Sequence, residues 1–299
     1  MEIRKICRFL ILIFIVLSLL FYYLYTVELE KRTVVSDEFV ADAVKNLSSY
    51  GITINDEDIE KSMPERDIYW FEIGDDSDYY KRIISSISKN VFDSDIVTTE
   101  FDTPEGYSVG LYDKNSYERE LGRITFSDSD LLFVFSKNGV GIKDGDQPIE
   151  NMQVDKIDGR IIELIDNVVS KLTDSSKLGY RITGSSSNDT YLIVTVMLTI
   201  DNSDISNSFI NFVFQNSEIV IMSGNWITGQ PKAKYHNTLL DGVNVLYKLN
   251  LEQVNTIESQ QVVYTLRSSG EKEHFIIPCW KIKYTDKQGN LVVSYFDAL

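Results

Sequence analysis

Four stretches of the chain repeat apolar residues with a helical period. In Asp37–Tyr50, residues Phe39, Val40, Ala43, Val44 and Leu47 fall on one side, and Gly51 stands where a helix would stop. Asp78–Val91 does the same with Tyr80, Ile83, Ile84, Ile87 and Val91. In Asp158–Leu172 the stripe is Ile161, Ile162, Ile165, Val168, Val169 and Leu172. A fourth helix is predicted over Leu239–Leu249, with Thr238 as its cap and Leu239, Val243, Leu246 and Tyr247 on its apolar side.

Other stretches repeat with a period of two. Every even position of Tyr191–Ile200 is aliphatic, from Leu192 to Ile200, which predicts a half-buried antiparallel strand. Ser208–Gln215 and Ser217–Ser223 continue that sheet across Asn216. Gln261–Arg267, Phe275–Tyr284 and Leu291–Phe296 follow the fourth helix, the last two joined by a hairpin at Asp286–Asn290 that contains Gly289. After the second helix come Val97–Phe101, Tyr107–Tyr112, Gly122–Phe126 and Leu131–Phe135. A helix followed by a run of strands recurs, so the expected fold class is α+β. It is built from helix-on-antiparallel-meander units (α-β-β-β repeats), not from a doubly wound parallel sheet. The polar stretch Asp146–Asp155, with Gly145 and Pro148 beside or within it, marks a boundary. It separates a membrane-proximal α+β domain over 33–148 from a C-terminal α+β domain over 155–299 made of two helix-plus-three-strand units.

Before all of these lies Ile6–Tyr25, ICRFLILIFIVLSLLFYYLY. As a helix these residues rise about 30 Å, the thickness of a bilayer's hydrocarbon core. Arg4, Lys5 and Arg8 flank its start, and Tyr22, Tyr23 and Tyr25 form an aromatic belt at its far end. Positive charge stays inside, so residues 1–5 form a cytoplasmic tail, residues 6–25 a single transmembrane anchor, and the bulk of the chain is extracytoplasmic. The apolar core is long and ends in FYYLYTVE, without the small residues that signal cleavage requires. Phe14, Leu17, Ser18 and Phe21 share one helix face, a candidate seam for another membrane helix, with Ser18 the only polar residue in mid-span.

Charge sharpens this picture. Residues 1–32 hold five basic and three acidic residues, so the rest of the chain carries 24 basic against 42 acidic residues. Such a surface repels phosphate backbones and excludes nucleic acid as a partner. There are two cysteines, Cys7 at the edge of the anchor and Cys279 far from it, so no disulfide framework is expected.

Chemistry is hard to find. The two histidines, His236 and His274, have no ligand-spaced partner, and no G-x-S-x-G elbow presents a serine. Cys279 lies near Lys281 and Lys283 on a predicted strand, but a buried, inert thiol is the simpler reading. Carboxylates crowd NDEDIE (55–60), GDDSD (74–78) and SDSD (127–130) without any pair standing out. No catalytic, cofactor-binding or metal-binding residue is therefore assigned, no cofactor is expected, and the chain is read as no enzyme.

The C-terminus reads HFIIPCWKIKYTDKQGNLVVSYFDAL. Its P-x-W-x-I element (Pro278, Trp280, Ile282) and its final strand ending in Phe296, Asp297 and Ala298 resemble the YycI-type regulatory proteins of Gram-positive bacteria. The layout of tail, single anchor and helix-plus-meander ectodomain is similar too, as is GITINDEDIEKSMP (51–64). Lys281 stands where arginine is common, and Asp297 where asparagine is. YycH-type, BofC-like and PepSY-like domains share the same plan. The resemblance implies a non-catalytic extracytoplasmic regulator controlling cell-wall homeostasis. Its partners would be a membrane sensor histidine kinase and a sister regulatory membrane protein, besides the bilayer itself. The rival readings are a cell-envelope hydrolase using paired carboxylates and a propeptide-like inhibitor or chaperone of exported peptidases. On the strand pattern alone, Ile276, Pro278, Trp280, Ile282 and Tyr284 share one face, which makes Trp280 a core residue and Pro278 a mark of an edge or bulge.

Overall fold

A computed structural model describes residues 14–24, 34–61, 63–72, 76–92, 95–103, 106–127, 131–140, 157–173, 176–188, 190–268 and 273–299. The helices are α1 (residues 14–24), α2 (Asp37–Ser49), α3 (Asp76–Asn90), α4 (Gly159–Leu172) and α5 (Gly242–Leu246). The first strands are β1 (Glu65–Glu72), β2 (Ile96–Thr103), β3 (Gly106–Asp113), β4 (Ser116–Ser127) and β5 (Leu132–Lys137). Then come β6 (Leu178–Ser187), β7 (Leu192–Ile200), β8 (Ser203–Gln215), β9 (Glu218–Asn225) and β10 (Lys232–Thr238). The last are β11 (Val254–Ser268), β12 (Glu273–Asp286) and β13 (Leu291–Asp297). The fold is α+β and rich in sheet. No helix among the described residues is long and apolar enough to cross a membrane; of Ile6–Tyr25, only 14–24 is described.

The chain divides into two compact units, and neither is a continuous piece of sequence. Unit 1 takes Met1–Arg66, Asn237–Val262 and Cys279–Leu299, and unit 2 takes Asp67–His236 and Val263–Pro278. This corrects the expected division into 33–148 and 155–299. Strands β5 and β9 come from opposite sides of the Asp146–Asp155 boundary, itself outside the described residues, yet they pair antiparallel, Leu132 with Asn225 and Ser136 with Ile221. Pairing between distant segments leaves no trace in local composition, so a polar stretch was mistaken for a border.

In unit 1, α2 begins at Ser36, whose side chain accepts from the Phe39 N–H, and Asp37 and Glu38 suit the positive end of its dipole. It stops at Gly51, whose φ of +77° is cheap only for glycine. Val40, Ala43 and Leu47 from α2 join Val243, Val245 and Leu246 from α5, with Val254, Ile257, Trp280 and Ile282, in one core. Thr53 bridges in parallel to Thr256 of β11. Helix α5 is shorter than predicted and is capped by Asp241, not by Thr238, which lies in β10. Two contacts fix its start: the Asp241 carboxylate accepts from the Asn244 N–H at 2.9 Å, and Gln260 Nε2 donates to the Gly242 carbonyl at 2.7 Å. A Cβ at Gly242 would meet the Glu60 carbonyl at 2.6 Å, so glycine is needed for that approach.

Unit 2 holds two helix-plus-four-strand runs. After α3 come β2 to β5, each antiparallel to the next. After α4 come β6 to β9, again each antiparallel to the next, and the two runs join through β5 and β9. The expected repeat has three strands; the fourth after α4 is β6, whose Gly- and Ser-rich LGYRITGSSS hides its alternation. Helix α4 matches its prediction, with Asp158 accepting from the Arg160 N–H and Ile161, Ile165, Val168, Val169 and Leu172 buried. Strand β7, expected half-buried, is covered on both faces, and its buried Thr195 hydroxyl is satisfied by Asn211 Oδ1 at 2.6 Å. The two-residue turns Asp201–Asn202 and Asn216–Ser217 all carry positive φ, which suits the right-handed twist of the hairpins they close.

Candidate functional site

The C-terminal motif builds the core of unit 1. Trp280 and Ile282 are fully buried, and so is Ala298. The Trp280 indole N–H donates to the Leu240 carbonyl at 3.0 Å, and the Leu240 N–H donates to the Ala298 carbonyl at 2.8 Å. One backbone unit, Leu240, thus ties the tryptophan of the P-x-W-x-I element to the final D-A. Asp297 is exposed; its carbonyl accepts from Lys248 Nζ at 3.0 Å, and it faces Cys279, which is buried. Pro278 is buried in unit 2 and falls between two registers of β12, Glu273–Ile276 with β1 and Cys279–Thr285 with β13. A residue without an N–H is tolerated at such a change of partner. Trp280, Ile282 and Ala298 lie in the core of unit 1, and Asp297 lies on its surface. Phe14, Leu17, Ser18 and Phe21 all lie on α1 and are exposed, Phe14 at 72%.

The surface that stands out was not singled out by sequence reasoning. In unit 2, β10 pairs only with β1 among the described strands, and β1 pairs with β12. Residues 232–236 of β10 are exposed on both faces. Trp70 of β1 stands opposite Phe275 of β12. Lys232 and Lys234, two apart and therefore on one face, lie over these rings: each Nζ is 6.0 Å from the Trp70 centroid, and Lys234 is also 5.0 Å from Phe275 and 5.5 Å from Tyr235. Neither lysine is paired with a carboxylate among the described residues. The Trp70 indole N–H is buried without a hydrogen-bond partner among the described residues. An edge with one side unpaired among the described strands, three aromatic rings and two ammonium groups over them are the makings of a contact surface for an added strand. The signal available in the sequence was KAKYHNT, seven residues with two lysines and no acid in an acidic chain.

Both histidines lie on the same strands. His236 Nδ1 is 2.7 Å from Asp67 Oδ1, a pairing across 169 positions that spacing rules cannot detect. His274 is buried, stacked on Phe71 at 5.3 Å, with Nδ1 3.0 Å from Ser268 Oγ. Burial holds its pKa below the usual imidazole value. A serine beside a histidine suggests a nucleophile with its base, but among the described residues no third group meets the buried Nε2. Among the described residues, no three His, Cys, Asp or Glu side chains are grouped to hold a metal.

No family model matches the chain, and no curated protein does. The YycI-type resemblance therefore rests on the residues quoted above alone. Among solved structures, the chain is similar to an uncharacterized protein from Eubacterium rectale ATCC 33656, at 10% identity and a TM-score of 0.45, over 83% of this chain and 87% of that one. It is also similar to the C-terminal domain of Bacillus megaterium YpeB, at 12% identity and a TM-score of 0.36, over 76% of this chain and 93% of that domain. At those values neither likeness carries a functional inference.

Proposed function

We propose that this chain is a membrane-tethered extracytoplasmic regulator that acts by protein contact and not by chemistry. The observation that carries the reading is α1. Its eleven described residues are all exposed, ten of them are large and apolar, and Arg4, Lys5 and Arg8 precede it. A helix whose apolar side chains are exposed along its whole described length is at home in lipid. The face of Phe14, Leu17, Ser18 and Phe21 is then the seam for a partner's membrane helix, and the β10 edge is the contact surface outside. The YycI-type resemblance supplies the partners: a sensor histidine kinase of cell-wall homeostasis and a sister regulator. A tether biases such a kinase only if its contacts differ between the kinase's two states.

The test is made in a Gram-positive host. Full-length chain should sediment with membranes, and outside-out protoplasts should lose its ectodomain to added protease. Replacing residues 1–32 by a cleavable signal should abolish any change in the phosphorylated fraction of the response regulator. An unaltered effect from the released ectodomain, or mature protein lacking its first thirty or so residues, would defeat the proposal.

A further inference from the structure

A second surface of unit 2 gathers positive charge inside an acidic protein. Helix α3 packs along α4, and the buried Ser86 hydroxyl donates to the Val168 carbonyl at 2.9 Å to fix the pair. Above that bond runs a groove of about 420 Å³. Among the described residues its charged lining is Lys81, Arg82 and Lys89 from α3 and Lys171 from α4, with the carboxylate of Asp78. The whole chain has 45 acidic and 29 basic residues, so this lining inverts the balance.

Solvation of an ordinary helix face does not account for it. Such faces intersperse charges, and glutamate four residues from lysine is the favoured neighbour. Here Lys81, Ser85 and Lys89 follow one another at four-residue steps, and a serine occupies the place where one glutamate would answer both lysines. Neither Lys81 nor Lys89 meets a carboxylate among the described residues. Lys171 Nζ is held at 2.8 Å by Asn90 Oδ1, a neutral acceptor that positions the ammonium without cancelling it. Helix dipoles explain Lys89 and Lys171, which sit in the last turns of their helices. They do not explain Lys81, about two turns further back.

We infer that this groove binds an anion carrying several phosphate groups in series. Lys81 and Lys89 are separated by about 12 Å along the helix axis, further than one phosphate reaches. The Ser85 hydroxyl stands between them as a neutral donor, and the Arg82 guanidinium and Lys171 flank the row. Guanidinium and ammonium groups recognise phosphate through short charge-assisted hydrogen bonds. Over the distances inside the groove these act almost unscreened, whereas the acidic surface beyond about 8 Å is damped by physiological salt. The site stands whether or not the tether exists.

The test uses the full chain in phosphatidylcholine nanodiscs, titrated calorimetrically with sodium tripolyphosphate. Saturable binding is expected, weakening as salt rises. The double variant Lys81→Ser/Lys89→Ser should bind about tenfold or more weakly. Lys114→Ser, which removes an exposed lysine paired with Asp95, should bind like the parent. A second arm places the chain in nanodiscs containing phosphatidylglycerol: lost tripolyphosphate binding there identifies lipid headgroups as the source, and retained binding identifies a free phosphate chain. Absence of saturable binding, equal binding by the double variant, or equal binding of citrate would overturn the assignment.

Discussion

Two tryptophans mark how differently the two units use the same side chain. In unit 1, Trp280 is fully buried and its N–H meets the Leu240 carbonyl. In unit 2, Trp70 is only half-buried, two ammonium groups lie over its ring, and its N–H finds no acceptor among the described residues. The first ring is complete in its polar and apolar contacts and serves as a pin. The second is incomplete, as aromatic residues at contact surfaces tend to be. A residue type alone therefore says little; whether its hydrogen-bonding capacity is met by its own chain says more.

Substitutions can break or sharpen that contrast. Trp280→Ala should cost about 3–5 kcal/mol of unfolding free energy in urea, enough to undo unit 1. Trp70→Ala should cost less than half as much; equal losses would erase the distinction. The next effect concerns pH. His274 is held neutral by burial, so the unfolded chain binds its proton more readily. Stability supplied by the neutral ring is present above the unfolded value of about 6.5 and is lost as pH falls from there through the lower folded value. Denaturant midpoints measured at pH 7 and pH 5 should separate in the parent and converge in His274→Gln. Ser217→Gly should then raise stability by about 1 kcal/mol, because Ser217 sits at φ +64° in a turn position that glycine prefers. Smallest of all, Lys232→Ala with Lys234→Ala should change stability by less than about 1 kcal/mol while weakening capture of partners. A loss as large as that of Trp280→Ala would make the edge structural instead.

Legibility in the sequence followed burial. Helix α4 and strand β7 were plain because one face or more of each is apolar. Strand β10 was invisible because it is exposed on both sides, so no alternation marks it. Strand β1 reads ERDIYWFE, where Ile68, Tyr69 and Phe71 are buried without a period of two. Helix α5 is shorter than its apolar stripe, which Leu239 and Leu249 continue, because the Leu239 N–H donates to the Pro64 carbonyl. The role of Trp280 as core was readable from its strand face. The cationic edge and the α3–α4 groove were not, since each depends on segments brought together by pairing far along the chain.

The interleaved threading of unit 1 bears on how the molecule is made. Its core needs both Leu47 and Ala298, about 250 positions apart, and the Ala298 carbonyl receives the Leu240 N–H. A growing polypeptide can fold domains as they emerge only when each is contiguous. Here the α2 part of that core must wait until residue 298 has left the ribosome. Replacing Ala298 by a bulky residue should therefore be felt at α2, some 250 positions earlier.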